Sequence, residues 1–303
     1  MKIGVIGIGG IAQKAYLPTY LKIRNQADFY FASSNEMTRK SLAAQFSFSE
    51  VYQDLNELMT QGIEACLIHA ATKAHYQLAK TCLENNISVF IDKPISENYQ
   101  EVKELLTLAE EKNLIFMAGF NRRFAPKVVA LKEMPNKRTI HLEKNETSHS
   151  LATEYGIYDL FIHLVDTAVY LLDDEIIKMT GKVKETDGMM TYAHMHLSTK
   201  QTECFISMDL QSGAKYERYQ VTNSEKTAMV ENLTDYQEIR GRDITIEQFS
   251  DWETTLFKRG FEQIVEQFVA AVKHESHDLK QRDVLSSHRL CAELLAQHFR
   301  HTI

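Results

Sequence analysis

Five short apolar runs in the first part of the chain alternate with longer stretches of helical periodicity, and this limits the fold more than any other feature. The runs are Lys2–Ile6, Phe29–Ala32, Ala65–Ala70, Val89–Ile91 and Ile115–Ala118. Tyr76–Asn85 and Tyr99–Asn113 are amphipathic; in the second, Val102, Leu105, Leu106 and Ala109 recur at helical spacing. A strand that is apolar along its whole length has both faces covered. Such strands alternating with helices predict an α/β fold built on a parallel sheet with helices on both sides. Pro18 lacks an N–H within the first helical stretch, so that helix is expected to bend or restart there.

After about Lys127 the pattern changes. Thr139–Lys144, Thr191–Leu197, Glu203–Leu210, Tyr216–Val221 and Thr227–Val230 are strand-like. In the third of these, Cys204, Ile206, Met208 and Leu210 fall on one face and Phe205, Ser207 and Asp209 on the other, as in an antiparallel sheet with one buried face. Asn223–Lys226 reads as a hairpin turn. Two helices close the chain: one carries the stripe Phe257, Phe261, Ile264, Val265 and Phe268, and the other runs from Val284 to Phe299. The expected organisation is a dinucleotide-binding Rossmann domain over residues 1–120, then an α+β domain over 121–303 with a large, mainly antiparallel open sheet.

A length of 303 residues is enough for two domains, each with its own core. The net charge of -7 and the lack of a basic stripe argue against nucleic acid as a partner. Cys66, Cys82, Cys204 and Cys291 are scattered, without CxxC or metal-ligand spacing, and read as buried thiols in a reducing, cytoplasmic setting. No apolar run reaches the length of a membrane span. The apolar start MKIGVIGIGGIAQK is broken by glycines and reads as a buried strand rather than a secretion signal.

The first run leads into Gly7-Ile8-Gly9-Gly10-Ile11-Ala12, a G-x-G-x-x-A pattern. Gly7 allows a tight turn, Gly9 a close backbone approach to a pyrophosphate, and Ala12 close packing of helix on strand. An ordinary glycine-rich turn shares the pattern, but its place between strand and helix favours a dinucleotide. The second strand ends in Ala32-Ser33-Ser34-Asn35, with no acid for a ribose 2′-hydroxyl; Glu36 comes late. Small hydroxyls with Arg39 and Lys40 nearby suit a 2′-phosphate, so NAD(P) is expected with a lean to NADP. The alternative is that Arg39 and Lys40 form a solvated helix face.

Asp92-Lys93-Pro94 follows the fourth run, at the carboxyl end of a strand, where open α/β sheets bind ligands. A desolvated lysine there can stabilise a developing alkoxide; an ordinary polar turn has the same composition. Asp159 and His163 lie four apart in a largely apolar helix, with Asp166 three further on. A carboxylate so placed can orient an imidazole acting as a base, and a solvated helical pair is the simpler reading. His194 and His196 alternate on a strand and read as sheet-face residues, with no metal expected. His274 and His277 read as a solvated loop.

In this order the motifs resemble the Gfo/Idh/MocA family of oxidoreductases (glucose–fructose oxidoreductase, inositol dehydrogenase and rhizopine-catabolism proteins), along essentially the whole chain. Gly7–Ala12 is similar to its cofactor loop, Asp92-Lys93-Pro94 to its Glu-Lys-Pro, and Gly119-Phe120-Asn121-Arg122-Arg123-Phe124 to its Gly-Tyr-Asn-Arg-Arg-Phe. Asp159-x-x-x-His163-x-x-Asp166 resembles its helix with the catalytic pair, and Asp283, His288 and Glu293 also look family-like. The resemblance implies that Lys93 assists catalysis near the nicotinamide, that His163 is the acid–base group and that Asp159 orients it or contacts substrate. It puts Asn121, Arg122 and Tyr155 near substrate. Ala70, Thr72 and His75 would line the cofactor cleft, with Asp92, Lys93 and Arg122 among the cofactor contacts. It implies a sugar, polyol or related hydroxy substrate and a homodimer or homotetramer formed through the open sheet. Two departures stand out: Thr153-Glu154-Tyr155-Gly156 replaces a glycine-rich stretch, and Asp92 is shorter than Glu. The expected activity is hydride transfer between a nicotinamide and a secondary alcohol or carbonyl. The alternatives are an NAD(P)-binding sensor without turnover and non-redox chemistry on a bound nucleotide.

Overall fold

A computed structural model describes residues 1–46, 50–275 and 279–301, and His277 lies outside them. The chain forms two compact units, Met1–Gly119 with Phe261–Gln281, and Phe120–Gly260 with Arg282–Ile303.

The first unit is built on β1 (Lys2–Ile6), β2 (Asp28–Ala32), β3 (Ala65–Ile68), β4 (Ser88–Ile91) and β5 (Phe116–Ala118). They pair in parallel in the order β2-β1-β3-β4-β5. Every residue of β3, β4 and β5 is buried, as their unbroken apolar sequences require. The first helical stretch does restart at the proline: a π-helical turn over Ala12–Tyr16 gives way to an α-helix, Leu17–Lys22, with Pro18 in its first turn. The expected break near residue 120 falls beside the division at Gly119, but the chain returns to this unit with the helix Phe261–Val272. Aromatic packing explains the return. The Phe268 ring meets Phe90 edge-on at 5.7 Å and Phe261 meets Tyr16 at 5.3 Å, while Glu262 pairs with Lys22.

The second unit has a nine-stranded sheet. Its strands are β6 (Thr139–Asn145), β7 (Leu151–Ala152), β8 (Lys178–Thr186), β9 (Met189–Ser198), β10 (Glu203–Asp209), β11 (Tyr216–Thr222), β12 (Thr227–Glu231), β13 (Asp235–Arg240) and β14 (Asp243–Glu247). The order is β14-β13-β12-β11-β6-β10-β9-β7, with β8 also on β9; β6 and β10 run parallel and the other pairs antiparallel. The turn at Asn223–Lys226 joins β11 to β12 as expected, its Asn223 side chain accepting from the N–H groups of Glu225 and Lys226. Helices Ile162–Leu171 and Val284–His301 bring Leu164, Val165, Ala168, Leu290, Cys291 and Leu294 into the core, on the side of Cys204, Ile206 and Met208. The stripe expected to begin a helix at Phe257 is divided. A short turn, Thr255–Lys258, stops at Gly260, whose φ of +81° lies in the left-handed region.

Candidate active site

In the first unit, β1 delivers the glycine loop. Gly7 has a φ of +88°, and a Cβ on it would stand 2.3 Å from the Ala70 nitrogen, so no other residue fits. Nothing lies within 4 Å of where a Cβ would sit on Gly9 or Gly10, and both residues are exposed. The loop therefore presents open backbone directly before a helical stretch, which is the surface a pyrophosphate needs. The Gly9 carbonyl accepts from Gln13 N–H at 3.0 Å, and the Gln13 side chain donates to the Ile8 carbonyl at 3.1 Å. Ile11 is exposed and Ala12 is buried.

At the end of β2, Arg39 Nη1 donates to the Ser33 carbonyl at 2.6 Å, which holds the guanidinium over the strand end. Asn35 caps the next helix by accepting from Thr38 N–H. Glu36, the late acid, pairs with Lys40 on the helix surface at 2.6 Å. Ser34 is exposed beside them.

After β4, Asp92 sits in a side-chain cluster that the sequence reading missed. His69 Nδ1 lies 3.0 Å from Asp92 Oδ2, near enough for an ion pair but off the line of a hydrogen bond. His69 Nε2 takes the Tyr20 hydroxyl at 2.5 Å, and the Tyr16 ring stacks on the imidazole at 4.2 Å. The Tyr16 hydroxyl bonds Asp92. Burial raises the Asp92 carboxyl, but His69, Tyr16 and His75 outweigh it and hold the group below the usual carboxylate range. Burial, reinforced by Asp92, drives Tyr16 and Tyr20 well above the ordinary phenol value, so both stay protonated. Lys93, half-buried, and Pro94 follow at once. His75 bridges this turn to the end of β3: Nδ1 lies 2.9 Å from the Pro94 carbonyl and Nε2 2.9 Å from that of Ala70. Thr72 opens the helix that carries His75.

In the second unit, Asp159 lies within a π-helical turn, Ile157–Phe161, and His163 in the first turn of the helix that follows. The four-residue spacing was read on an α-helix; the wider π-turn changes the geometry between the two. The partner that stands out for His163 is Arg122, whose Nη1 lies 2.8 Å from His163 Nδ1. The rest of that guanidinium is fixed: Nε donates to Glu217 Oε1 at 2.7 Å and to the Tyr219 hydroxyl at 2.8 Å, and Nη2 to Glu217 Oε2 at 3.2 Å. Arg122 is 6% exposed, so the residue expected near substrate and cofactor has its guanidinium taken up inside this unit. Glu217 also receives Lys144 at 3.3 Å, and Glu146 receives Lys144 at 3.2 Å and Lys215 at 2.9 Å. Burial raises the Glu217 carboxyl, but Arg122, Lys144 and Tyr219 outweigh it and hold the group ionised far below the usual range.

Neighbouring residues fix the turn that carries Arg122. Asn121 Nδ2 donates to the Arg259 carbonyl at 2.8 Å. Arg123, fully buried, makes a two-pronged pair with Asp166 at 2.9 and 2.7 Å, and Asp166 also accepts from Ser287 at 2.8 Å. Asp166 thus anchors Arg123. Tyr155 is 48% exposed. His194 and His196 share the exposed side of β9, and His196 pairs with Glu203 at 2.7 Å and stacks on Phe205. Glu217 and Tyr219 were missed, although β11 alternates so that both face inward with Val221. A carboxylate on the core side of a strand is the signal that would have found the cation.

Comparison with known proteins agrees with this arrangement. Residues 1–120 match the oxidoreductase family with an NAD-binding Rossmann fold, Gfo/Idh/MocA, and residues 126–241 match a YceM-like C-terminal domain. The chain is 31% identical over 283 residues to an oxidoreductase named YceM from Salmonella typhimurium, covering 91% of each. It is 28% identical over 189 residues to myo-inositol 2-dehydrogenase of Thermotoga maritima, covering 58% of this chain and 56% of that one. Among solved structures, a dehydrogenase (MviM) from Clostridium difficile superposes with a TM-score of 0.91 at 26% identity, covering 98% of this chain and 99% of the other. A Gfo/Idh/MocA family oxidoreductase from Vibrio cholerae gives 0.89 at 27%, covering 100% and 99%. Sequence likeness along nearly the full length, joined to a glycine loop that only glycine can form, makes this chain a member of the Gfo/Idh/MocA oxidoreductase family.

Proposed function

We propose that the protein catalyses reversible hydride transfer between a nicotinamide dinucleotide and a carbon bearing a secondary hydroxyl, on a sugar, polyol or related hydroxy compound. The observation that carries this reading is the open backbone at Gly9 and Gly10 behind an obligatory Gly7, in a chain that also holds Lys93 and His163 in family motifs. Gly7 to Ala12 would hold the pyrophosphate. Ser33, Ser34, Asn35 and Arg39 would hold the adenosine ribose, and Ala70, Thr72, His75 and Asp92 would line the cofactor cleft. When bound, the nicotinamide supplies the two-electron chemistry: the alcohol carbon is oxidised by loss of a hydride to the ring, leaving the hydroxyl proton for a base on this chain. In this reading His163 takes the hydroxyl proton, Lys93 stabilises the oxygen, Asp159 orients His163 or contacts substrate, and Asn121 and Tyr155 contribute to substrate binding.

The preferred cofactor in this reading is NADP. Arg39 is held over the end of β2, and Glu36 is paired with Lys40. The protein is cytoplasmic and assembles as a homodimer or homotetramer through the exposed face of its second sheet, which light scattering tests by mass.

The testing experiment is substitution. Lys93→Ala and His163→Ala are expected to bind cofactor normally and to lose turnover by about 10²- to 10⁴-fold each. Full turnover in both variants contradicts the assignment.

A further inference from the structure

The exposed side of the second sheet carries its charges in an order that is complementary to itself. Cross-strand register sets Asp235 of β13 beside Glu231 of β12, Glu231 beside Arg218 of β11, and Arg218 beside Glu143 of β6. The same row continues through Ser207 and His194 to Lys182 of β8. Directly opposed residues share a face of a sheet, and Tyr219, Val230 and Ala193, which alternate with them along their strands, are buried, so this row faces away from the core. Lys178 and Lys184 stand opposite Ser198 and Tyr192, on the same side as Lys182. β8 is one edge of the sheet, and β13 lies next to the other. The exposed side is therefore basic along one edge and acidic toward the opposite one.

Apolar groups lie on the same side. Phe205 is 40% exposed and stacks between the His141 and His196 rings, at 5.0 and 4.5 Å. Ile244 and Ile246 of β14 stand opposite Ile239 and Gln237 and are 59% and 66% exposed. Exposed aromatic and aliphatic side chains bordered by charge have the composition of a docking surface. Two copies of this face can meet about a two-fold axis in two ways. An axis across the strands sets β8 over the partner's β8, lysine on lysine and acid on acid. An axis along the strands reverses the strand order, and sets the β8 lysines over the acids of β12 and β13 in the partner, twice in each dimer.

We infer that the open sheet face docks on the same face of a second copy about a two-fold axis along the strands, with Lys182 and its neighbouring lysines set against the partner's Asp235 and the partner's Glu231. The inference rests on the assembly proposed above and deepens it by naming the register. Glu143, near the axis, is met in its own chain by Arg218 at 3.4 Å, so the two copies of this carboxylate do not face each other bare.

Charge exchange tests the register. Lys182 and Asp235 are exposed, so their substitution leaves the core intact. Sedimentation of the wild-type chain over a concentration series is expected to show a dimer or a larger even assembly. Lys182→Glu with Lys184→Glu, and separately Glu231→Lys with Asp235→Lys, are each expected to weaken association at least about tenfold. All four changes together are expected to restore it to within about threefold of wild type. A combined variant no stronger than either parent, or parents that associate as the wild type does, overturns the register. Should a variant fail to fold, a zero-length carbodiimide cross-link in the wild type decides. With one copy ¹⁵N-labelled and the other not, Lys182 is expected to be joined to Asp235 or Glu231 between copies, and a Lys182–Lys182 proximity with a bifunctional amine reagent in place of that link contradicts it. A wild-type chain that stays monomeric overturns both the register and the proposed assembly. A dimer indifferent to these charges overturns the register alone. No substrate enters the measurement, so a protein without turnover counts against the proposed chemistry and leaves this result standing.

Discussion

At the scale of single residues, two groups link the second unit's stability to pH. Burial pushes the His288 imidazole down to about 4. Glu217 is held far below its ordinary value because Arg122 and Lys144 outweigh its burial. Both folded-state values are depressed, so the unfolded chain binds protons first as pH falls. The His288 contribution is complete above its unfolded value of roughly 6.5 and disappears as pH falls toward 4. The Glu217 contribution is complete above roughly 4.5 and declines below that. Thermal melting against pH is therefore expected to soften first below about pH 6.5, and His288→Leu is expected to remove that first step. A melting temperature that stays flat from neutral pH to 5 contradicts it. Glu217→Ala leaves Arg122 as a buried cation without its carboxylate and is expected to cost about 3–5 kcal/mol in denaturant unfolding; a change below 1 kcal/mol contradicts the account. Legibility at this scale depended on distance along the chain. Gly7 was readable because its constraint is local, a positive φ between a strand and a helix. The Tyr20–His69 bond joins residues 49 apart, and the Arg122–Glu217 pair residues 95 apart. No spacing rule reaches that far.

Among elements, the strands found from sequence were those whose burial leaves a pattern. β3, β4 and β5 are buried throughout, and β10 alternates between its two faces. β8, β13 and β14 were missed for the complementary reason. β8 (KMTGKVKET) buries only Val183, and every residue of β14 (DITIE) is exposed, so backbone pairing holds these strands and hydrophobic alternation does not mark them. The division of the expected Phe257–Phe268 helix depends on Gly260. A Cβ there would stand 2.3 Å from the Asn121 carbonyl oxygen, and its φ is +81°. Gly260→Ala is expected to lower the melting temperature by at least about 4 °C, since left-handed strain alone costs about 1–2 kcal/mol before the clash is counted. An unchanged melting temperature contradicts the assigned role of this break. The π-turn over Ile157–Phe161 was also invisible to spacing, which assumes one helical period, and it alters the Asp159–His163 relation that the sequence suggested.

For the whole molecule, the two-part organisation was legible because apolar strands covered on both faces give way to alternating ones near residue 127. The return of Phe261–Gln281 to the first unit was not, because an apolar helix stripe does not say which core it joins. Cofactor preference belongs to this scale too. With Arg39 over the β2 end, fluorescence titration of the protein is expected to give tighter binding of NADPH than of NADH, and Arg39→Ala is expected to narrow the gap. Preference for NADH rejects the 2′-phosphate pocket while leaving the enzyme reading in place. The central claim is that this chain moves a hydride from a carbon bearing a hydroxyl group. Its most direct test is to incubate the protein with oxidised nicotinamide dinucleotide and a panel of sugars and polyols deuterated at their carbinol carbons, and to examine the nicotinamide by mass spectrometry. The account predicts deuterium in the reduced cofactor with at least one substrate, and loss of that transfer in Lys93→Ala. Substrate consumed without deuterium reaching the cofactor would contradict it.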